Sequence, residues 1–126
     1  MKQLAVFLSV LTLLAGPVMA SDISLDDLKK AIAAKTVTVI DVTGSDNYNE
    51  GHIPGAFDFF AYQKELAAKL PADKGALIVA YCYNPMCPAY KLATEAAEKL
   101  GYTNVKHFSP GIAGWQEAGL PTQKGN

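Results

Sequence analysis

The chain of 126 residues carries eleven lysines and no arginine against twelve acids, a formal charge of −1 at neutral pH. That balance, with no basic run, excludes an electrostatic nucleic-acid surface and a polybasic membrane patch. The length supports one domain with its own core and is too short for two.

The first twenty residues stand apart from the folding argument. Lys2 gives a short positive start, Leu4 to Gly16 is an apolar run, and Val18-Met19-Ala20 offers the small residues a signal peptidase reads. The run has thirteen residues, short of the about 20 that span a bilayer. The reading is a secretory signal peptide over 1–20, cut between Ala20 and Ser21. No cysteine stands at the cut to take a lipid. The expectation is an exported protein, periplasmic in a Gram-negative source and otherwise secreted, with no stable membrane association after cleavage. Residues 21–126 then form the single domain, with ten lysines against twelve acids.

Beyond Ser21 the hydrophobic period alternates between that of helices and that of strands. Ser24 with Asp27 reads as a capping box that opens a helix with Leu25, Leu28 and Ile32 on one face. Val37 to Asp41 is short and β-branched, which predicts a strand. Ser45 to Asn49 suits a helical turn stopped by Gly51. Ala56 to Phe60 reads as a second strand, and Tyr62 to Leu70 as a helix closed by Pro71. Ala76 to Cys82, ALIVAYC, is the near-continuous apolar run of a central parallel strand buried on both faces. Pro88 suits the first turn of the next helix, Tyr90 to Leu100 its body, and Gly101 its C′ position. A strand over Val105 to Phe108 and a short helix over Ile112 to Ala118 complete the pattern. Strands alternating with helices imply crossover connections and a small open α/β sheet, parallel, with helices on both faces.

Both cysteines lie in CYNPMCP, Cys82 to Pro88, five positions apart. The segment reads as a metal clip, a disulfide or a reactive thiol held in a shaped loop. Cys82 ends the most buried strand, where open α/β sheets bind ligands. The loop Tyr83, Asn84, Pro85, Met86 and Cys87 leads into a helix N-terminus. Such a turn can aim backbone N–H groups at an anion, and the helix dipole favours a thiolate. That placement argues for Cys82 as a nucleophile.

The segment Asp41 to Ala56, DVTGSDNYNEGHIPGA, resembles the D-V-R…Y-x-x-G-H-I-P-G-A signature of rhodanese-like domains. The resemblance continues through ALIVAYC and through Pro110 to Pro121, PGIAGWQEAGLP, which is similar to the closing G-G-x-x-x-W-x-x-A-G-L-P pattern of the family. It implies a rhodanese fold over 21–126 and a sulfurtransferase in which Cys82 takes a sulfane sulfur as a persulfide. A small sulfane donor and a thiol acceptor are then the partners, with no metal or organic cofactor, no nucleic acid, and a monomer as the expected state.

The departures bear on the substrate. The family loop often reads C-x-x-G-x-R, whereas here Pro85 replaces the glycine and Cys87 stands at the arginine position. Thr43 replaces the arginine of D-V-R. A dianion such as thiosulfate loses the bidentate partner that arginine offers, and Lys91 is the nearest lysine in sequence. Two further readings stay open. One is a dithiol–disulfide oxidoreductase using Cys82 and Cys87. The other is a non-catalytic carrier of sulfur or of copper(I), for which Cys82, Met86 and Cys87 are soft ligands. Asp41 and His52 read as structural groups satisfying backbone, and Trp115 with Ile112 as core. Tyr83 and Tyr90 are candidates to rim the pocket. Gly51, Gly55 and Gly111 are expected in turns that need positive φ.

Overall fold

A computed structural model describes residues 20–125; the signal segment read over 1–20 lies, but for Ala20, outside the described residues. No helix among the described residues is long and apolar enough to cross a membrane. Five parallel strands form one sheet in the order β1-β5-β4-β2-β3. They are β1 (Ser21–Asp22), β2 (Val37–Asp41), β3 (Phe57–Asp58), β4 (Leu77–Tyr81) and β5 (Val105–His107).

The alternation of β4 explains why its sequence is apolar throughout. Ile78 and Ala80 point into one core, with Ile40, Val42, Phe59, Leu66, Ala93 and Ala97. Val79 and Tyr81 point into the other, with Leu28, Ile53, Phe108, Ile112 and Trp115. Helices α3 (Phe59–Tyr62), α4 (Leu66–Lys69) and α5 (Tyr90–Lys99) supply the first core, and α1 (Leu25–Ala34) and α6 (Gly111–Glu117) the second. α2 (Ser45–Glu50) follows β2 at the sheet's carboxyl end. β4 pairs with β2 over five residues and with β5 over three, so its carboxyl end lies mid-sheet.

Local chemistry sets the helix ends. The Ser24 hydroxyl accepts the Asp27 N–H at 3.1 Å, and Leu28 is wholly buried beneath that turn. At the far end of α5, Gly101 takes φ +95°. The Gly101 N–H reaches the Glu98 carbonyl and the Tyr102 N–H the Ala97 carbonyl, the two bonds of a Schellman closure. Pro88 and Ala89 precede α5 in a tight turn. The N–H groups of Lys91 and Leu92 bond to the carbonyls of Pro88 and Ala89, three residues back.

Among the elements the sequence expectation fails at four places, the first being Pro88, which was expected in the first turn of α5 and lies ahead of it. β1 was not foreseen, because two residues carry no period. The strand expected over Ala56 to Phe60 stops at Asp58, whose carboxylate accepts the Phe60 N–H at 3.0 Å and starts α3. The helix expected over Tyr62 to Leu70 is broken into the end of α3, a 3-10 turn at Gln63–Glu65, and α4.

Candidate active site

Cys82 follows the last residue of β4 and is 3 % exposed. Its sulfur is joined to that of Cys87, with Cα atoms 6.0 Å apart. The sequence separation and the loop's two turns bring this about. The Asn84 side-chain oxygen accepts the Met86 N–H at 2.9 Å, and the Asn84 carbonyl accepts the Cys87 N–H at 3.1 Å. Pro85 sits between them with φ fixed by its ring. The chain therefore doubles back after Asn84 and returns Cys87 towards Cys82.

The other side of the loop is set by α6. The N–H groups of Ile112 and Ala113 bond to the carbonyls of Cys82 and Tyr83 at 3.0 and 2.9 Å. Among the described residues every peptide is trans, so the N–H of a planar peptide points opposite its carbonyl. The N–H groups of Tyr83 and Asn84 thus face away from α6. Gly111 makes this approach possible. Its φ is +65°, and a Cβ there would lie 2.5 Å from the Cys82 carbonyl oxygen and 2.6 Å from that of Tyr83. Gly55 also has positive φ, at +84°. Gly51 does not: its φ of 170° is extended backbone, and its packing against Thr122 is what favours a small residue.

Asp41 lies at the carboxyl end of β2 beside Tyr81 of β4. It is fully buried, and three groups donate to it: the Thr43 N–H at 2.8 Å, the Thr43 hydroxyl at 2.5 Å and the Tyr81 hydroxyl at 2.5 Å. Burial pushes its carboxyl pKa up, against the pull of these donors. The same burial, reinforced by Asp41, holds the Tyr81 phenol far above its ordinary range. Tyr81 in turn accepts the Ile53 N–H at 3.0 Å. The result is a buried polar chain that ties the end of the sheet to the GHIPGA turn.

His52 serves the same turn. Its Nδ1 lies 2.9 Å from the Tyr48 carbonyl, and its ring stacks on Tyr48 with centroids 3.8 Å apart. Its backbone pairs with Gln123 in an antiparallel bridge. Trp115 is buried, with its indole N–H on the Pro121 carbonyl at 2.8 Å. Asp41, His52 and Trp115 are thus held by protein partners.

Tyr83, at 54 % exposed, does rim a cleft of about 250 Å³. Thr43, Asn47, Glu50, Gly51, Ile112 and Gln116 complete its lining. Thr43, where the family motif carries arginine, points its hydroxyl to Asp41 instead. Glu50 is the one charged residue of that lining. Lys91 is exposed in the first turn of α5. A larger cavity of about 480 Å³ lies between α5 and β5, lined by Glu95, Glu98, Lys99, Tyr102, Thr103 and Val105, and includes no residue of the segment 82–88.

Sequence reasoning passed over His107 as a packed group. It is 6 % exposed at the end of β5, with its register partner Ala80 two residues before Cys82. Its ring stacks on Tyr90 with centroids 3.4 Å apart, its Nδ1 lies 3.4 Å from the Asp22 carboxylate, and its Nε2 is buried without a partner. The missing signal was β1, which carries Asp22 to it.

Comparison with known proteins agrees with this fold. Residues 24–118 match the rhodanese-like domain model. The chain is 28% identical over 97 residues to the thiosulfate sulfurtransferase GlpE of Shewanella oneidensis, covering 76% of this chain and 92% of that protein. It is 35% identical over 100 residues to the HTH-type transcriptional regulator Rv0324 of Mycobacterium tuberculosis. That match covers 79% of this chain, which spans only 43% of the regulator. Among solved structures, a rhodanese-related protein from Thermoplasma volcanium superposes with a TM-score of 0.64 at 25% identity, covering 82% of this chain and 97% of the other. Fold and sequence agree: the chain belongs to the rhodanese-like domain family.

Proposed function

We propose that the protein is a thiol-dependent sulfurtransferase that carries sulfane sulfur as a persulfide on Cys82. The observation that carries this reading is the placement of Cys82, at the carboxyl end of the central strand and in a loop that closes into α5. The match to a thiosulfate sulfurtransferase supports the reaction class. In the first step the Cys82 thiolate attacks the outer sulfur of a donor and forms a new S–S bond. The donor's old bond to that sulfur breaks, and its remainder leaves with the electron pair. In the second step an acceptor thiolate attacks the outer sulfur of the persulfide, and the Cys82 thiolate is restored. The N–H groups of Tyr83 and Asn84 are the loop donors assigned to the sulfur anion. Those of Met86 and Cys87 are occupied by Asn84, and Pro85 has none.

The donor we favour is a neutral or thiol-bound sulfane. Thr43 and Cys87 stand at the two family arginine positions, and the cleft beside Tyr83 carries a carboxylate and no cation. Thiosulfate would therefore lack its charged partner. Export follows from the reading of 1–20 as a signal peptide.

The Cys82–Cys87 disulfide favours a second reading, a dithiol–disulfide oxidoreductase. Intact-mass measurement separates the two. Reduced protein loaded with one equivalent of a sulfane donor is expected to gain one sulfur atom at Cys82. Loss of two hydrogens with release of sulfide, and no persulfide at any time, would support the oxidoreductase and remove the carrier.

A further inference from the structure

We infer that Cys87 is the sulfur through which an external thiol opens the Cys82–Cys87 disulfide, so that Cys87 acts as a removable cap on the Cys82 nucleophile. The order of attack rests on the disulfide alone. Only its consequence, the release of Cys82 for sulfur transfer, rests on the reading above.

Thiol–disulfide exchange is an in-line displacement. The incoming thiolate must reach one sulfur from the side opposite the other, and the rate depends on access and on the leaving thiol. Access separates the two cysteines. Cys82 is 3 % exposed, and its sulfur lies 3.6 Å from the Val42 carbonyl oxygen at the end of β2. Cys87 is half-buried and is flanked by exposed Pro85, Met86 and Pro88, with Met86 at 87 % exposure. A thiolate arriving from solvent meets Cys87.

The leaving group points the same way. If Cys87 is attacked, the sulfur expelled is that of Cys82. It sits at the start of the segment whose Tyr83 and Asn84 N–H groups are turned away from α6. These donors are the ones the loop has not spent, so negative charge is better accommodated there than at Cys87. Once protonated, the Cys82 thiol can donate to the Val42 carbonyl. The opposite order would need a thiolate to enter a packed strand end. It would also expel a thiolate at Cys87, whose own N–H is held by Asn84.

The chemistry balances with a thiol as the named reductant. One thiolate attacks the Cys87 sulfur, the Cys82–Cys87 bond breaks, and a mixed disulfide remains on Cys87 with a thiolate on Cys82. A second thiolate attacks the thiol-derived sulfur of that mixed disulfide. It releases the symmetrical disulfide of the reductant and leaves both cysteines reduced. Two electrons pass from two thiols to the protein.

Glutathione is the probe. Oxidised full-length domain is mixed with glutathione, quenched in acid, alkylated with N-ethylmaleimide and digested, and the modified peptide is fragmented between the two cysteines. The expected species carries glutathione on Cys87 and maleimide on Cys82, in about tenfold excess over the reverse isomer. The reverse isomer in excess, or an even mixture, would overturn the proposal.

A second measurement covers fast reclosure of the ring. Cys82→Ser and Cys87→Ser proteins, shown to be folded by circular dichroism, react with glutathione disulfide above the pKa of both thiols. Cys87 in the first variant should react about tenfold faster than Cys82 in the second. Equal rates, or a faster Cys82, would sink the idea. Sulfur loading of the Cys87→Ser protein is scored separately, so a failed persulfide reading leaves the mapping of attack unaffected.

Discussion

Serine in place of Cys82 keeps the side chain's size but leaves a hydroxyl that stays protonated where a thiolate is required. We expect Cys82→Ser to lose sulfur transfer to the uncatalysed level while its circular dichroism and thermal midpoint match those of the reduced wild type. Cys87→Ser should retain transfer and lose its dependence on a reductant. Full activity in the Cys82 variant would reassign the nucleophile. Arginine at Cys87 would return a guanidinium to the family position. A hydrogen bond to a charged group contributes about 1.5–3 kcal/mol, so the KM for thiosulfate should fall by roughly tenfold or more against reduced wild type. An unchanged KM in a folded variant would show that this position does not face the donor. Tyr81 tests the buried polar chain. Tyr81→Phe strands both the Ile53 N–H and one Asp41 oxygen, and an unsatisfied buried group costs about 1–3 kcal/mol. Urea denaturation should register a loss of that size, and a neutral result would mean water replaces the hydroxyl.

At the scale of elements, what could be read in the sequence divides by how local its cause is. β4 was legible because burial on both faces writes itself as an unbroken apolar run. α5 was legible because Gly101 marks its end. The end of the strand at Asp58 was missed because Phe59 and Phe60 beyond it look like strand, while the cap that stops it lies in one carboxylate. The position of Cys82 could be read from strand, loop and helix in turn. The destination of the loop's N–H groups could not, because Asn84 takes that of Met86 on its side-chain oxygen and that of Cys87 on its backbone carbonyl. The clamp of α6 on Cys82 and Tyr83 also joins segments thirty residues apart, at 82–83 and 112–113. Gly111→Ala tests that clamp. A non-glycine residue held at positive φ costs about 1–3 kcal/mol, and here the added Cβ also meets two carbonyl oxygens. The expected result is a lowered thermal midpoint together with slower sulfur loading. A loss of stability with normal loading would separate α6 from the site.

Across the whole molecule, acid should weaken the fold through His107. Burial holds its pKa below the ordinary value, against the opposing pull of Asp22. The unfolded chain, with a histidine pKa near 6.5, then binds a proton that the folded protein resists. Stability therefore falls as pH drops through that value and levels off below the folded pKa. Urea midpoints followed from about pH 8 down to about pH 5 should show this decline, and His107→Phe should flatten it. An equal slope in the variant would place the titration elsewhere.

The order of strands has a different consequence. Both edges, β1 and β3, are only two residues long, while the longer strands lie inside. An edge with so few free backbone groups offers little template to a second chain. The most apolar strand, Leu77–Tyr81, is bracketed by β2 and β5 and can be copied only after the sheet opens. The fold therefore limits edge-to-edge pairing by the brevity of its margins, each of which also carries an aspartate, Asp22 or Asp58.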